Sequence, residues 1–78
     1  AMAVLSLMGP KARDILSRHS PDDLTSAGFP IGTARWITVA NCPVLALRVT
    51  YVGELGWELH MPTEVAVTVY EAVMSGQD

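Results

Sequence analysis

Between Val44 and Met61 the chain reads as two strands folded back on each other. Val44 to Val52 (VLALRVTYV) puts Leu45, Leu47, Val49 and Tyr51 on one face and Ala46, Arg48, Thr50 and Val52 on the other, the two-residue period of a β-strand. Gly53-Glu54-Leu55-Gly56 interrupts that period and Trp57 to Met61 resumes it. Paired glycines fit a four-residue hairpin loop, and loop length sets register. With Gly53 to Gly56 as the loop, Val52 pairs with Trp57, Tyr51 lies opposite Glu58, and Val49 lies opposite His60. Directly opposed residues share a face with Cβ atoms about 4.5 to 5.5 Å apart. Tyr51 and Glu58 are therefore expected side by side, with His60 and an apolar wall of Leu45, Leu47 and Val49 next to them. Apolar lining with a few placed polar groups is the composition of a ligand pocket. The competing reading makes Glu58 and His60 residues of an edge strand, where charge blocks edge-to-edge pairing.

The remaining elements follow from punctuation and period. Ala3 to Met8 (AVLSLM) is a short apolar strand ended by Gly9-Pro10, too strong a break for a continuing element. Pro10 suits the first position of a helix over Lys11 to Arg18, with Ala12, Ile15 and Leu16 on its apolar side and Lys11, Arg13, Asp14 and Arg18 outside. Ser20-Pro21-Asp22-Asp23 and Gly28-Phe29-Pro30-Ile31-Gly32 read as turns and loop, with Phe29, the single Phe, plugging the core. Ala34 to Ala40 is β-branched and aromatic enough for a strand, and Asn41-Cys42-Pro43 supplies turn chemistry. Pro62-Thr63-Glu64 opens a final helix whose buried stripe is Ala66, Val69, Tyr70 and Val73, stopped by Ser75-Gly76. The order β-α-β-β-β-α predicts an α+β fold, a mainly antiparallel sheet with both helices on one face.

Composition says what such a sheet is for. The 78 residues are 50% hydrophobic and only 17% charged, against roughly 25% charged in ordinary soluble domains. A chain of this size buries only about 60 to 65% of its unfolded surface. Its apolar surplus is therefore expected on the helix-free face, docked against another part of a larger protein, with residues 1–78 forming a single fragment of it. Five Lys and Arg against eight Asp and Glu, net charge −3, form no basic stripe for nucleic acid. Apolar runs of four or five residues are far short of the ~20 needed to cross a membrane. One cysteine, Cys42, and two histidines, His19 and His60, make neither an internal disulfide nor a zinc set.

The stretch Leu47-Arg48-Val49-Thr50-Tyr51-Val52-Gly53-Glu54-Leu55-Gly56-Trp57-Glu58-Leu59 resembles the signature hairpin of the folate-binding aminomethyltransferase family, which includes the T-protein of glycine cleavage. Met8-Gly9-Pro10-Lys11-Ala12-Arg13 resembles that family's Gly-Pro-x-Ala helix opening, and Tyr70-Glu71-Ala72-Val73-Met74 stands where its later helix is expected. Val52 and Leu55, where T-proteins carry Thr and Asp or a similar residue, bring the wording nearer to the C-terminal folate-binding region of dimethylglycine and sarcosine dehydrogenases. The resemblance implies that this is a subdomain of a larger folate-binding fold and that tetrahydrofolate is its cofactor. It also implies that Tyr51 and Glu58 line the cavity, Glu58 meeting the pteridine through a bidentate, charge-assisted contact.

What the resemblance leaves outside this segment matters as much. The family's catalytic Asp lies upstream and a cofactor-holding Arg downstream, and no Gly-x-Gly-x-x-Gly marks a flavin site here. The segment is thus expected to hold no catalytic residue, with FAD belonging to a parent domain beyond it. The function implied is the tetrahydrofolate-binding portion of a one-carbon enzyme, an aminomethyltransferase or an N-methylglycine demethylating oxidoreductase. Its setting would be the mitochondrial matrix or the bacterial cytoplasm. The alternative is a non-catalytic regulatory or interaction module of the same fold, such as the pyruvate dehydrogenase phosphatase regulatory subunit. The folate-binding iron–sulfur assembly proteins are disfavoured, because Thr50-Tyr51-Val52-Gly53-Glu54 replaces their Lys-Gly-Cys-Tyr-x-Gly-Gln-Glu signature. Arg48 and His19 read as structural, Glu54 as closing the turn, and Trp36 and Trp57 as core or interdomain anchors.

Overall fold

In the computed structural model residues 1–75 are described, with the backbone but not the side chain of Tyr51. The expected order holds: β1 (Met2–Met8), α1 (Ala12–Ser17), β2 (Ala34–Val39), β3 (Cys42–Tyr51), β4 (Glu54–Pro62) and α2 (Thr63–Ser75). The four strands form one sheet in the order β1-β4-β3-β2, every pair antiparallel. The fold is α+β, and the predicted stop at Gly76 lies outside the described residues.

Both hairpins close through two-residue turns. Ala40 (φ 51°) and Asn41 (φ 66°) join β2 to β3, and Val52 (φ 48°) and Gly53 (φ 83°) join β3 to β4. Two consecutive left-handed residues give the turn whose twist matches that of the flanking strands. The expected four-residue loop is therefore wrong, and so is the register drawn from it. Tyr51 pairs with Glu54, Val49 with Gly56, Leu47 with Glu58 and Leu45 with His60. Glu58 thus faces Leu47, four positions before Tyr51 on β3. An even shift keeps each side chain on its face, so the face assignments survive the error.

Gly56, expected in the loop, belongs to β4 for a packing reason. A Cβ at Gly56 would collide with the Leu7 carbonyl oxygen and press on Met8 Sδ and Cα. β1 runs against it there, Met8 opposite Gly56, and close backbone approach inside a sheet is one of the uses of glycine.

One face of the sheet is covered. Leu7, Ile37, Val39, Val44, Ala46, Trp57, Leu59 and Met61 are buried against Ala12, Ile15 and Leu16 of α1, Val69 and Val73 of α2, and Leu24 and Phe29 of the long connection to β2. Phe29 is fully buried and meets Trp57 edge to face, ring centroids 6.3 Å apart. Val65 and Ala66 pack beside Val69 and Val73, whereas Tyr70, expected in that stripe, is 52% exposed. α2 lies over β1 and β4, and β1 is the sheet edge, so the outer flank of the helix has no strand beneath it.

Candidate functional site on the uncovered sheet face

The face away from the helices carries Val4 and Ser6 of β1, Leu45, Leu47 and Val49 of β3, Glu58 and His60 of β4, and Trp36 of β2. Val4 is 56% and Trp36 64% exposed. Glu58 stands between Ser6 and Leu47, and His60 between Val4 and Leu45. β4 is an interior strand, so neither residue guards a sheet edge. That removes the physical reason behind the edge-strand reading.

Glu58 Oε1 and His60 Nε2 are 3.0 Å apart. A carboxylate only accepts, so this contact puts a proton on Nε2. It also holds the carboxylate in one orientation and leaves Oε2 without a hydrogen bond among the described residues. The result is a half-buried acceptor on an apolar platform, open toward whatever covers this face.

Tyr51 is at the far end of β3, opposite Glu54. By parity its backbone position belongs to the face of Glu58, but at about 3.3 Å per residue it is roughly 13 Å along the strand from Leu47, the partner of Glu58. The two residues are not cross-strand neighbours, and the Tyr51 side chain lies outside what is described. One group touching both positions would have to be that long.

A second cluster, on the covered face, was not anticipated. Arg48 is 1% exposed, donates from an Nη to the Phe29 carbonyl at 3.0 Å, and lies over the Trp57 ring with its Cζ 4.6 Å from the centroid. Arg13, expected on the outer side of α1, turns inward. Its Cζ is 5.8 Å from the same centroid, and it donates to the Leu24 carbonyl at 3.0 Å and to Ser26 Oγ at 3.3 Å. Burial lowers the Arg48 pKa from its usual value, and the nearby Arg13 charge lowers it further. The structural role expected of Arg48 is therefore correct as far as packing goes. The signal for Arg13 was absent because helical period alone cannot say that the connection after α1 folds back over it.

Of the other candidates Cys42 has a local partner, whereas the buried His19 Nε2 has no hydrogen-bond partner among the described residues. Cys42 Sγ is 3.5 Å from the Ala40 carbonyl within the β2–β3 turn, the His19 carbonyl accepts from the Ala40 N–H at 2.8 Å, and Glu54 is exposed beside Gly9. No helix among the described residues is long and apolar enough to cross a membrane.

Comparison with known proteins places this geometry. The GCVT N-terminal domain family matches residues 1–78. The chain belongs to that family. Mitochondrial sarcosine dehydrogenase of Mus musculus is 43% identical over 74 residues, 95% of this chain and 8% of the mouse protein. Mitochondrial dimethylglycine dehydrogenase of Homo sapiens is 40% identical over 78 residues, 99% of this chain and 9% of the human protein. An aminomethyltransferase of Caldanaerobacter subterraneus is 36% identical over 78 residues, 99% of this chain and 21% of that enzyme. Among solved structures, the heterotetrameric sarcosine oxidase from Corynebacterium sp. U-96, in complex with pyrrole 2-carboxylate, superposes with a TM-score of 0.83 at 28% identity, covering 96% of this chain and 37% of the matched chain. The family resemblance expected from the GELGWEL segment is thus shown, and the GCVT fold with it. The chain spans 8% to 21% of the length of these three relatives.

Proposed function

We propose that this GCVT-family chain forms one wall of a tetrahydrofolate site in a longer enzyme of one-carbon metabolism. That enzyme is an aminomethyltransferase or an N-methylglycine dehydrogenase yielding methylene-tetrahydrofolate. In this reading residues 1–78 are one piece of an aminomethyltransferase-like domain, the rest of the parent polypeptide closes the uncovered face, and any FAD is bound elsewhere in the parent. The names of the relatives, mitochondrial dehydrogenases and a bacterial aminomethyltransferase, support a mitochondrial-matrix or bacterial cytoplasmic setting.

The observation that carries the proposal is Glu58 on an interior strand of an uncovered face, one oxygen held by His60 and the other free. A half-buried carboxylate with one acceptor oxygen unused can take a hydrogen bond from a ligand donor, and the amino edge of a pteridine supplies one. Leu47 and Leu45 offer the flat apolar flank that a heteroaromatic ring requires. Bound tetrahydrofolate supplies the amine that takes up the one-carbon unit. This chain's part is to orient the ring, Glu58 by hydrogen bonding and His60 by holding Glu58. Tyr51, about 13 Å farther along β3 by strand rise, is assigned to a more distant portion of the same ligand.

The test is Glu58→Gln in the full-length parent. Gln keeps an oxygen for His60 Nε2–H and turns its amide NH₂ toward the ring, where donor then meets donor. Loss of a charged hydrogen bond is worth about 1.5 to 3 kcal/mol, roughly tenfold to more than a hundredfold in affinity. Calorimetric titration with tetrahydrofolate is expected to read that loss while the thermal midpoint stays unchanged. Equal affinity in both proteins would remove Glu58 from the site and favour the non-catalytic module of the same fold.

A further inference from the structure

The Arg13–Arg48 cluster poses a charge problem that the fold described so far does not solve. Arg48 is buried, its Nε has no hydrogen-bond partner, and its one polar contact is a neutral carbonyl. Arg13 likewise reaches only a carbonyl and a hydroxyl. Neither forms an ion pair among the described residues. Buried charges are ordinarily paired, because desolvation of an unpaired ion costs several kcal/mol. The face of Trp57 offsets part of that cost, but two cations on one ring also repel each other. A water at Nε would satisfy the N–H and leave the charges unbalanced.

The same residues border a hollow of ≈180 Å³ lined by Gly9, Pro10, Arg13, Arg48, Leu55 and Trp57. We propose that this hollow is an oxyanion site, in which a carboxylate or phosphate oxygen is held between the Arg48 and Arg13 guanidinium groups above Trp57. Its size suits a single such group and excludes a nucleotide. A guanidinium fork matches the planar geometry of a carboxylate and the edge of a phosphate. The hollow is on the opposite side of the sheet from Glu58, so its occupant is separate from the group Glu58 orients and the inference stands whether or not folate binds. Two sources offer this chemistry: an Asp or Glu side chain from outside residues 1–78, or a small free anion. Glu54, exposed next to Gly9 at the rim, is the internal competitor.

The test uses crystals of the full-length parent, with and without millimolar selenate as an anomalous probe, together with Arg13→Gln. A side-chain carboxylate contacting Arg48 Nε without selenate identifies the first source. A selenate peak between the two arginines identifies the second, and Arg13→Gln is then expected to weaken selenate binding in solution by roughly tenfold or more with Arg48 still in place. Either result supports the site. Water alone in the hollow with no selenate peak overturns it, as does Glu54 turned inward against Arg48. Unchanged selenate affinity in Arg13→Gln reduces any peak to an adventitious ion only, and also overturns it.

Discussion

The two faces of this sheet are made by the same four strands and differ in nearly everything else. Toward the helices, alternate residues are almost uniformly apolar and fully enclosed, with Leu59, Val44, Ala46 and Val39 having no exposed surface. Among the buried residues of that face the charged one is Arg48, its guanidinium lying over Trp57, while Arg35 and Thr50 at the same parity are exposed. On the other side an equal number of β4 and β3 positions carry a carboxylate, an imidazole and half-covered leucines, with Trp36 and Val4 open to solvent. The first face earns stability from burial; the second holds chemistry on a surface that burial has not yet claimed. A strand buried on one side is rigid enough to aim side chains on the other, which is how a 78-residue chain can present a candidate site without enclosing one.

The strongest way to break this contrast is to substitute one residue on each face. Leu59→Ala, in the enclosed layer, is expected to cost about 2 to 5 kcal/mol through lost burial and the cavity left behind. Val4→Thr on the open face is expected to change stability by no more than about 0.5 kcal/mol. Urea denaturation of both variants measures the gap. Equal losses would mean that the open face is as enclosed in solution as the other.

Next in size is Gly56→Ala, which tests whether β1 and β4 approach as closely as the register requires. The added methyl meets the Leu7 carbonyl and Met8, so a loss of about 1 to 3 kcal/mol is expected, read from a thermal melt. A neutral result would move Gly56 back into a loop and restore Tyr51 opposite Glu58.

Val52→Asn sharpens the same point from the turn. Val52 is 91% exposed and sits at φ 48°, a region where a β-branched residue is strained and Asn is tolerated. With almost no packing to lose, the variant should be more stable by about 0.5 to 1 kcal/mol. A lower melting midpoint would argue against the two-residue turn that sets the position of Glu58.

The smallest effect belongs to the connection that covers the enclosed face. Asp23 accepts from the Thr25 hydroxyl at 2.7 Å and from the Thr25 N–H at 2.9 Å, and the hydroxyl bond most of all holds its pKa below the ordinary 3.8. A lowered folded pKa means that these bonds contribute stability above the unfolded value and lose it as pH falls through the folded one. Asp23→Asn should therefore melt slightly below wild type at pH 6, and the two midpoints should converge as pH drops through about 4 and below. A gap that widens in acid would reverse the assignment.

Much of the candidate site was legible in advance because strand parity is a local property. Leu45, Leu47, Glu58 and His60 fall on one face in any register that differs by an even number of residues, and the GELGWEL wording carried the family. The error at the hairpin has an equally local origin. Val52 does not advertise a left-handed conformation, so Gly53 and Gly56 looked like the two ends of a loop when one makes the turn and the other makes room for β1.

The sequence by itself determined the element order, which residues of the β3–β4 hairpin share a face and the presence of Phe29 in the core, since period and side-chain size are written residue by residue. Tertiary structure decided which strand is interior, which partner Glu58 faces, that Tyr70 lies outside the α2 stripe, and that Arg13 meets Arg48 across Trp57. These are relations between segments far apart in the chain. The pairing of β1 with β4 and the folding of residues 18–33 over α1 set them, and no local pattern encodes either distance.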